Sequence, residues 1–243
     1  MELQDILYSQ GFGPRRVCLG LVQNGLVTVQ GRPCEDPYAE FAPEGLSFTV
    51  EGKAWDYHAK AYLMLHKPAG YECSQKPSAW PSIYTLLPAP LRQRPSKGAN
   101  PGVQAIGRLD QDTTGLLLLS DDGAFIHKMS SPKHHVPKVY EVATADPVDS
   151  CQIERLLAGV VLDDDPKPVR AAACEGTASH ALRLTLTEGK YHQVKRMLAA
   201  VGNRVVGLHR CRIGRLELPH DLAAGQWRWL TEETLAAASY RGQ

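Results

Sequence analysis

Four consecutive leucines, Leu116 to Leu119, follow directly on Gly107-Arg108-Leu109-Asp110-Gln111-Asp112-Thr113-Thr114-Gly115, and no other segment constrains the chain as strongly. A short apolar run bounded by turn residues reads as a buried strand. A glycine-hinged loop therefore presents an arginine and two carboxylates next to backbone that excludes water. A carboxylate in that setting, with a cation within reach, can be kept ionised as a nucleophile or general base. Asp110 is the first candidate for that role. Asp, Thr and Gly ahead of an apolar run also serve as ordinary turn residues, so the loop alone does not separate chemistry from architecture.

Asp110, Asp112 and Thr114 also spell the D-x-D-x-T of aspartyl-phosphate phosphatases. In those enzymes the apolar strand precedes the aspartates and delivers them at its C-terminal end. Here Val103 to Ile106 is weakly apolar and the strong strand comes afterwards, which argues against that chemistry.

The chain has 243 residues, enough for a small module and a medium domain, and we divide it into 1–57 and 58–243. Lys and Arg number 27 against 26 Asp and Glu, so bulk charge does not announce a nucleic-acid partner. Local clustering does. From Arg183 to Arg215 there are eight basic residues, Arg183, Lys190, Lys195, Arg196, Arg204, Arg210, Arg212 and Arg215, against Glu188 alone. Acids collect instead at Asp163-Asp164-Asp165. A charge run is usually a solvated face, but this one spans a helix and a strand, which favours phosphate contact. The six cysteines are scattered without CxxC or Cys/His ligand spacing, so neither zinc nor a disulfide framework is indicated and buried, reduced thiols are expected. The N-terminus lacks a basic-then-apolar signal design and no apolar run approaches the ~20 residues of a membrane helix. A cytoplasmic, monomeric protein without membrane, metal or cofactor is the expectation.

Leu3, Ile6 and Leu7 have helical spacing, Gly11-Phe12-Gly13 breaks the helix, and Pro14 opens a second one bearing Arg15 and Arg16. Leu26 to Val29 and Phe48 to Val50 read as strands, and polar Glu51 to Lys60 as a linker. Strands are predicted at Tyr62 to Leu65, Val136 to Val142, Ala181 to Thr187, Val205 to Leu208 and Trp227 to Leu230. Alternation at Val136 to Val142 lets Tyr140 point into a cleft. Ala124 to Met129 reads as a short helix, and Tyr191 to Val201 as another with Lys195 and Arg196 on its flank. Arg92 to Gln104, rich in Pro, Gly, Ser and basic residues, reads as a mobile surface loop. No regular βαβ alternation appears, so the main domain is an α+β body with a mixed, largely antiparallel sheet.

The Gly107 to Leu119 string resembles the catalytic motif of pseudouridine synthases in the branch that modifies ribosomal RNA with single-site selectivity. Lys67-Pro68-Ala69-Gly70-Tyr71 resembles a second motif of that family, and Glu188 to Met197, continued by Gly202-Asn203 and Leu208-His209-Arg210, a third. The first fifty residues are similar to the small RNA-binding module first described in a ribosomal small-subunit protein, but Glu2-Leu3-Gln4-Asp5 lacks the usual arginine and Gly13-Pro14 replaces the usual capping Ser. His-Gln-Val-Lys-Arg-Met and Leu-His-Arg look most like the member acting on 16S ribosomal RNA. A relative acting on large-subunit RNA and a silent ribosomal RNA-binding or ribosome-assembly protein are the alternatives.

The resemblance implies a ribosomal RNA or pre-ribosomal substrate, a flipped-out uridine and no cofactor. It further implies Asp110 as the catalytic carboxylate, Lys195 as its ion-pair partner ahead of Arg196, and Tyr140 stacking on the displaced base. Arg108 would fill the vacated stack or bind a flanking phosphate. Arg15, Arg16, Arg183, Arg196, Arg204, Arg210 and Arg212 are candidate RNA contacts. Asp112 is read as supporting Asp110, and His192 as a packing residue or RNA hydrogen-bonding group.

Overall fold

A computed structural model describes residues 1–96, 101–163 and 165–240. The first unit runs α1 (Leu3–Gln10), α2 (Arg15–Gln23), β1 (Val27–Val29), β2 (Arg32–Pro33), β3 (Ser47–Val50) and β4 (Lys53–Asp56). The strands form an antiparallel sheet in the order β2-β1-β3-β4. Leu3, Ile6 and Leu7 of α1 and Cys18 and Val22 of α2 close over Val27, Val29, Phe48 and Val50 as one small core. The stretch expected to be a plain linker contains β4, whose Trp55 faces Phe48 across the pair. Its polar composition hid an edge strand that uses one face only.

The second unit runs β5 (Tyr62–Lys67), α3 (Ala89–Gln93), β6 (Gln104–Ala105), β7 (Thr114–Ser120), α4 (Gly123–Ser130), β8 (Lys138–Thr144), α5 (Ser150–Ala158), β9 (Val160–Leu162), β10 (Asp165–Val169) and β11 (Ala173–Ala178). It continues with β12 (Ala181–Leu186), α6 (Gln193–Ala200), β13 (Val205–Ile213), β14 (Leu216–Glu217), β15 (Trp227–Trp229) and α7 (Glu232–Ala238). A nine-stranded sheet has the order β11-β12-β8-β13-β7-β5-β15, with β14 on β13 and β6 on β7. Every pairing in it is antiparallel except that between β7 and β13.

The leucine run explains where the core sits. Alternation sends Leu117 and Leu119 to one face, where they join Leu63, Leu65, Val142, Leu184 and the α6 residues Val194, Met197 and Leu198. Leu116 and Leu118 go to the other, against Phe125 and Met129 of α4 and Ile213. A strand covered on both faces needs this unbroken apolar string, and each fully buried leucine contributes about 1.5–3 kcal/mol.

A buried polar junction joins the two units. The Arg94 guanidinium, 2% exposed, donates to Asp121 Oδ2 (2.6 Å), Gln10 Oε1 (3.0 Å) and the His58 carbonyl (2.7 Å). Gln10 also accepts from Trp55 Nε1 and the His58 amide, and the His58 ring stacks on Trp229 at 3.7 Å. Arg94 thus departs from the mobile loop expected for 92–104, as does α3; residues 97–100 of that stretch lie outside those described. Of the cysteines, all free, Cys18 is buried and Cys151 exposed, so not every thiol is sheltered as expected. Among the described residues no helix is long and apolar enough to cross a membrane.

Candidate active site

The sheet's one parallel pairing positions the site, because the loop before β7 enters there beside β13. Gly115 makes the approach possible. Its φ is +111°, and a Cβ there would lie 2.3 Å from the Arg210 carbonyl oxygen and 2.7 Å from its nitrogen, so no side chain fits between the two backbones. Lys67, at the end of β5, ties the loop from beneath. Its ammonium is fully buried and donates to the carbonyls of Thr113 (2.8 Å), Pro68 (3.0 Å) and Gln111 (3.3 Å). Burial lowers its pKa from the ordinary lysine value. The Thr113 amide closes a turn on the Asp110 carbonyl.

Asp110 therefore stands at the top of a braced loop. Lys195 Nζ of α6 lies 3.2 Å from its Oδ2 and closer still, 2.7 and 2.9 Å, to the two oxygens of Asp112. Burial opposes the charge on Asp112, but hydrogen bonding and Coulomb attraction from Lys195 outweigh it and hold the carboxyl below its ordinary value. Burial likewise opposes the Lys195 ammonium, and the two aspartates raise its pKa against that cost. Lys195 is shared between two carboxylates, so Asp112 competes for the cation as well as shaping the loop.

His192 completes the group around the carboxylate, with Nε2 3.3 Å from Asp110 Oδ1. Its backbone is left-handed, φ 46° and ψ 34°, an uncommon conformation for a side-chain-bearing residue and one often found at functional sites. That turn delays α6, so the helix begins at Gln193 instead of the predicted Tyr191. The buried Gln193 side chain accepts from the Lys190 amide and donates to Glu188 Oε1, fixing the preceding segment. The His192 ring stacks on the exposed Tyr191 at 3.7 Å. Sequence reasoning missed this contact with Asp110; adjacency to the Gln-Val-Lys string was the only available signal.

A cleft of about 440 Å³ opens beside Asp110, lined also by Arg108, Lys138, Tyr140, His192, Lys195, Leu208 and Arg210. Tyr140 reaches it from β8, opposite Arg210 in register. Lys138, two residues earlier, is pushed down to about 8 by burial and by the Arg210 charge. Among the described residues no group of three or more His, Cys, Asp or Glu could hold a metal ion.

Of the residues singled out from sequence, the fold brings Asp110, Tyr140, Lys195, Arg108 and Arg210 to this cleft; Arg15, Arg16, Arg183, Arg196, Arg204 and Arg212 do not line it. Arg210, a candidate phosphate contact from the sequence, lines the cleft but is also committed to the fold. It is 2% exposed and its Nε donates to the Leu116 carbonyl at 2.8 Å, bracing β13 against β7. The basic cluster is also less free than its count suggests. Cross-strand register sets Arg183 between Glu141 and Glu175 and Arg212 opposite Glu217, and each pair is within 4 Å. Arg196 Nη1 donates to the Tyr191 carbonyl. Arg15 pairs with Asp5 and lies over the Tyr8 ring.

Comparison with known proteins gives this geometry a lineage. Residues 61–200 match the family model for RNA pseudouridylate synthase, and residues 1–42 the S4 domain. A Pasteurella multocida protein named ribosomal small subunit pseudouridine synthase A is 41% identical over 217 residues, 89% of this chain and 90% of its own length. The Escherichia coli protein of the same name is 38% identical over 234 residues, 96% of this chain and 98% of its own. A crystal structure described as a pseudouridylate synthase superposes with a TM-score of 0.67 at 33% identity, covering 98% of this chain and 99% of that one. With its catalytic-domain match spanning more than half the sequence and its relatives matching nearly end to end, the chain belongs to the RNA pseudouridylate synthase family and carries an S4 domain at its N-terminus.

Proposed function

We propose that this enzyme isomerises one uridine of small-subunit (16S) ribosomal RNA to pseudouridine, with residues 1–57 docking the RNA and 58–243 carrying the reaction. The names of the Pasteurella and Escherichia relatives support the choice of RNA. The observation that carries the mechanism is the Asp110 carboxylate, set between Lys195 at 3.2 Å and His192 at 3.3 Å beside a cleft that Tyr140 also lines. At about 440 Å³ the cleft falls within the range that encloses a small ligand, about 300–1,000 Å³.

The target nucleoside is extruded from its stack, at a cost of a few kcal/mol, and Arg108 at the cleft wall takes the vacated place or the flanking phosphate. Asp110 acts at the ribose as nucleophile or as the base that starts elimination. The N1–C1′ bond breaks, the uracil turns, and C5 bonds to the same C1′. The proton on C5 departs and N1 gains one, so the change is an isomerisation that consumes no redox equivalent. Lys195, 3.2 Å away, faces the Asp110 carboxylate as its counter-ion. Tyr140 stacks on the freed base and assists loss of the C5 proton.

Tritium release from RNA labelled at uracil C5 tests the assignment. The native chain releases label and Asp110→Ala does not; equal release from both removes Asp110 from the chemistry. Mapping modified uridines in both subunit RNAs of a deletion strain tests the substrate, because a missing large-subunit site in place of a 16S site refutes it.

A further inference from the structure

A second cleft, about 510 Å³, lies across Gly107-Arg108 from the catalytic one, and the two share those residues as a common wall. Its other sides are Cys73 to Lys76, Tyr84 and the short strand β6. No acidic residue lines it, and two exposed cations, Arg108 and Lys76, do. Neither forms an ion pair among the described residues.

The walls are preformed. The Glu72 carboxylate accepts the backbone amides of Ser78, Ala79 and Trp80 at 3.0–3.1 Å, which clips the 72–80 loop into one shape. Ser82 Oγ donates to the Ser74 carbonyl, and the Lys76 amide donates to Ser74 Oγ. Tyr84 ties the opposite side by accepting the Ala105 amide at its hydroxyl. A cleft with braced walls and two cations outside any ion pair suits a phosphate joined to a larger group, and the Gln75 amide at its rim, hydrogen-bonded to Tyr84, keeps a further donor and its acceptor for a heterocycle edge.

Resting on the proposed RNA reaction, we infer that this second cleft holds the nucleotide adjoining the target uridine, with Arg108 and Lys76 on the connecting phosphate and Gln75 on the neighbouring base. Extrusion of the target leaves its strand running past Arg108, and the space directly beyond that residue receives the next unit. Contacts of this kind hold the strand in register while the base turns.

Lys76→Ala and the Lys76→Ala/Gln75→Ala double variant alter exposed loop side chains outside the reacting group. In single-turnover tritium release, the RNA concentration giving half-maximal rate rises about tenfold for Lys76→Ala, with the maximal rate within about twofold of native. The slope of log affinity against log salt becomes shallower by about one, which loss of mere loop packing would not produce. An RNA with an uncharged methylphosphonate between the target and its neighbour weakens native binding and costs Lys76→Ala a smaller further loss, the part owed to Arg108. Native-like RNA affinity in the double variant, an unchanged salt slope, or simply additive penalties overturns the subsite. No release by the native chain on unmodified RNA is a separate result, visible in the reference arm, and overturns the underlying reaction together with the subsite.

Discussion

Gly115→Ala isolates how much of the site depends on two backbones nearly touching. Two penalties combine at this position. The residue sits at φ +111°, where a side chain costs at least about 1–2 kcal/mol. The added methyl would also lie 2.3 Å from the Arg210 carbonyl oxygen. Backbone cannot rotate away as a flexible side chain can, so overpacking adds about 1–3 kcal/mol, for a total of about 2–5 kcal/mol. Gly45→Ala supplies the control: its φ is +72° with nothing within 4 Å of the added carbon, so it carries only the conformational penalty. Urea unfolding of both variants at pH 7 measures the difference. Because β7 and β13 must separate to admit the methyl, position 115 and Arg210 lose register, the Asp110 loop shifts with β7, and tritium release falls at saturating RNA under conditions where the variant remains folded. Stability of Gly115→Ala within about 0.5 kcal/mol of Gly45→Ala would refute the close-approach argument.

Lys67→Met removes three hydrogen bonds from buried loop carbonyls; it lowers stability by about 1–3 kcal/mol and slows tritium release while RNA affinity, measured by filter binding, is retained. Loss of affinity with an unchanged rate contradicts this. Asp112 has a folded pKa below its ordinary 3.8, so its stabilising contribution is present above that pH and is lost as pH falls through the folded value. Asp112→Asn therefore costs up to about 1 kcal/mol near neutrality, discounted for exposure, and urea unfolding across pH 3–6 shows the gap narrowing on acidification; a widening gap contradicts the sign. Cys18 is pushed up to about 11 by burial, which cuts its thiolate about 100-fold relative to an ordinary thiol. Iodoacetamide at pH 8.5 consequently labels the exposed Cys151 well before Cys18, read by peptide mass spectrometry, and simultaneous labelling counts against the burial described.

Local periodicity carried much of the architecture. The strand at Ala181 to Leu186 and the leucine strand show themselves because neighbouring residues alternate or stay apolar within a few positions. The segment from Asp146 to Ala178 went largely unread, although Asp149 and Gln152 form a capping box that opens α5 and offered a usable start signal. Strand β9 is an apolar run of three residues and β10 and β11 are polar or mixed, so each is weak by itself and shows as a strand only in its hairpin, β9 with β10 and β11 with β12. Buried cations were the harder problem. Lys67, Arg94 and Arg210 look like surface residues until the carbonyls and carboxylate that receive them arrive from 27 to 94 positions away. A similar distance concealed Glu141, one of the two acids facing Arg183. Asp110 was legible from the loop ahead of the leucine strand, and Tyr140 and Lys195 gained their roles through motif resemblance; their convergence on one cleft comes from β7, β8 and α6 meeting, which no local window displays.

The Gln10–Arg94–His58 knot makes the molecule a gauge. Swivelling the S4 domain would strip the buried Arg94 guanidinium and the His58 amide of the Gln10 side-chain oxygen and pull the Trp55 ring off Trp229, a penalty that opposes the motion. The span from α2 to Asp110 is then a constant of the protein. On the proposed function, an RNA docked on residues 1–57 is measured against that length, and only a uridine at the matching offset reaches Asp110.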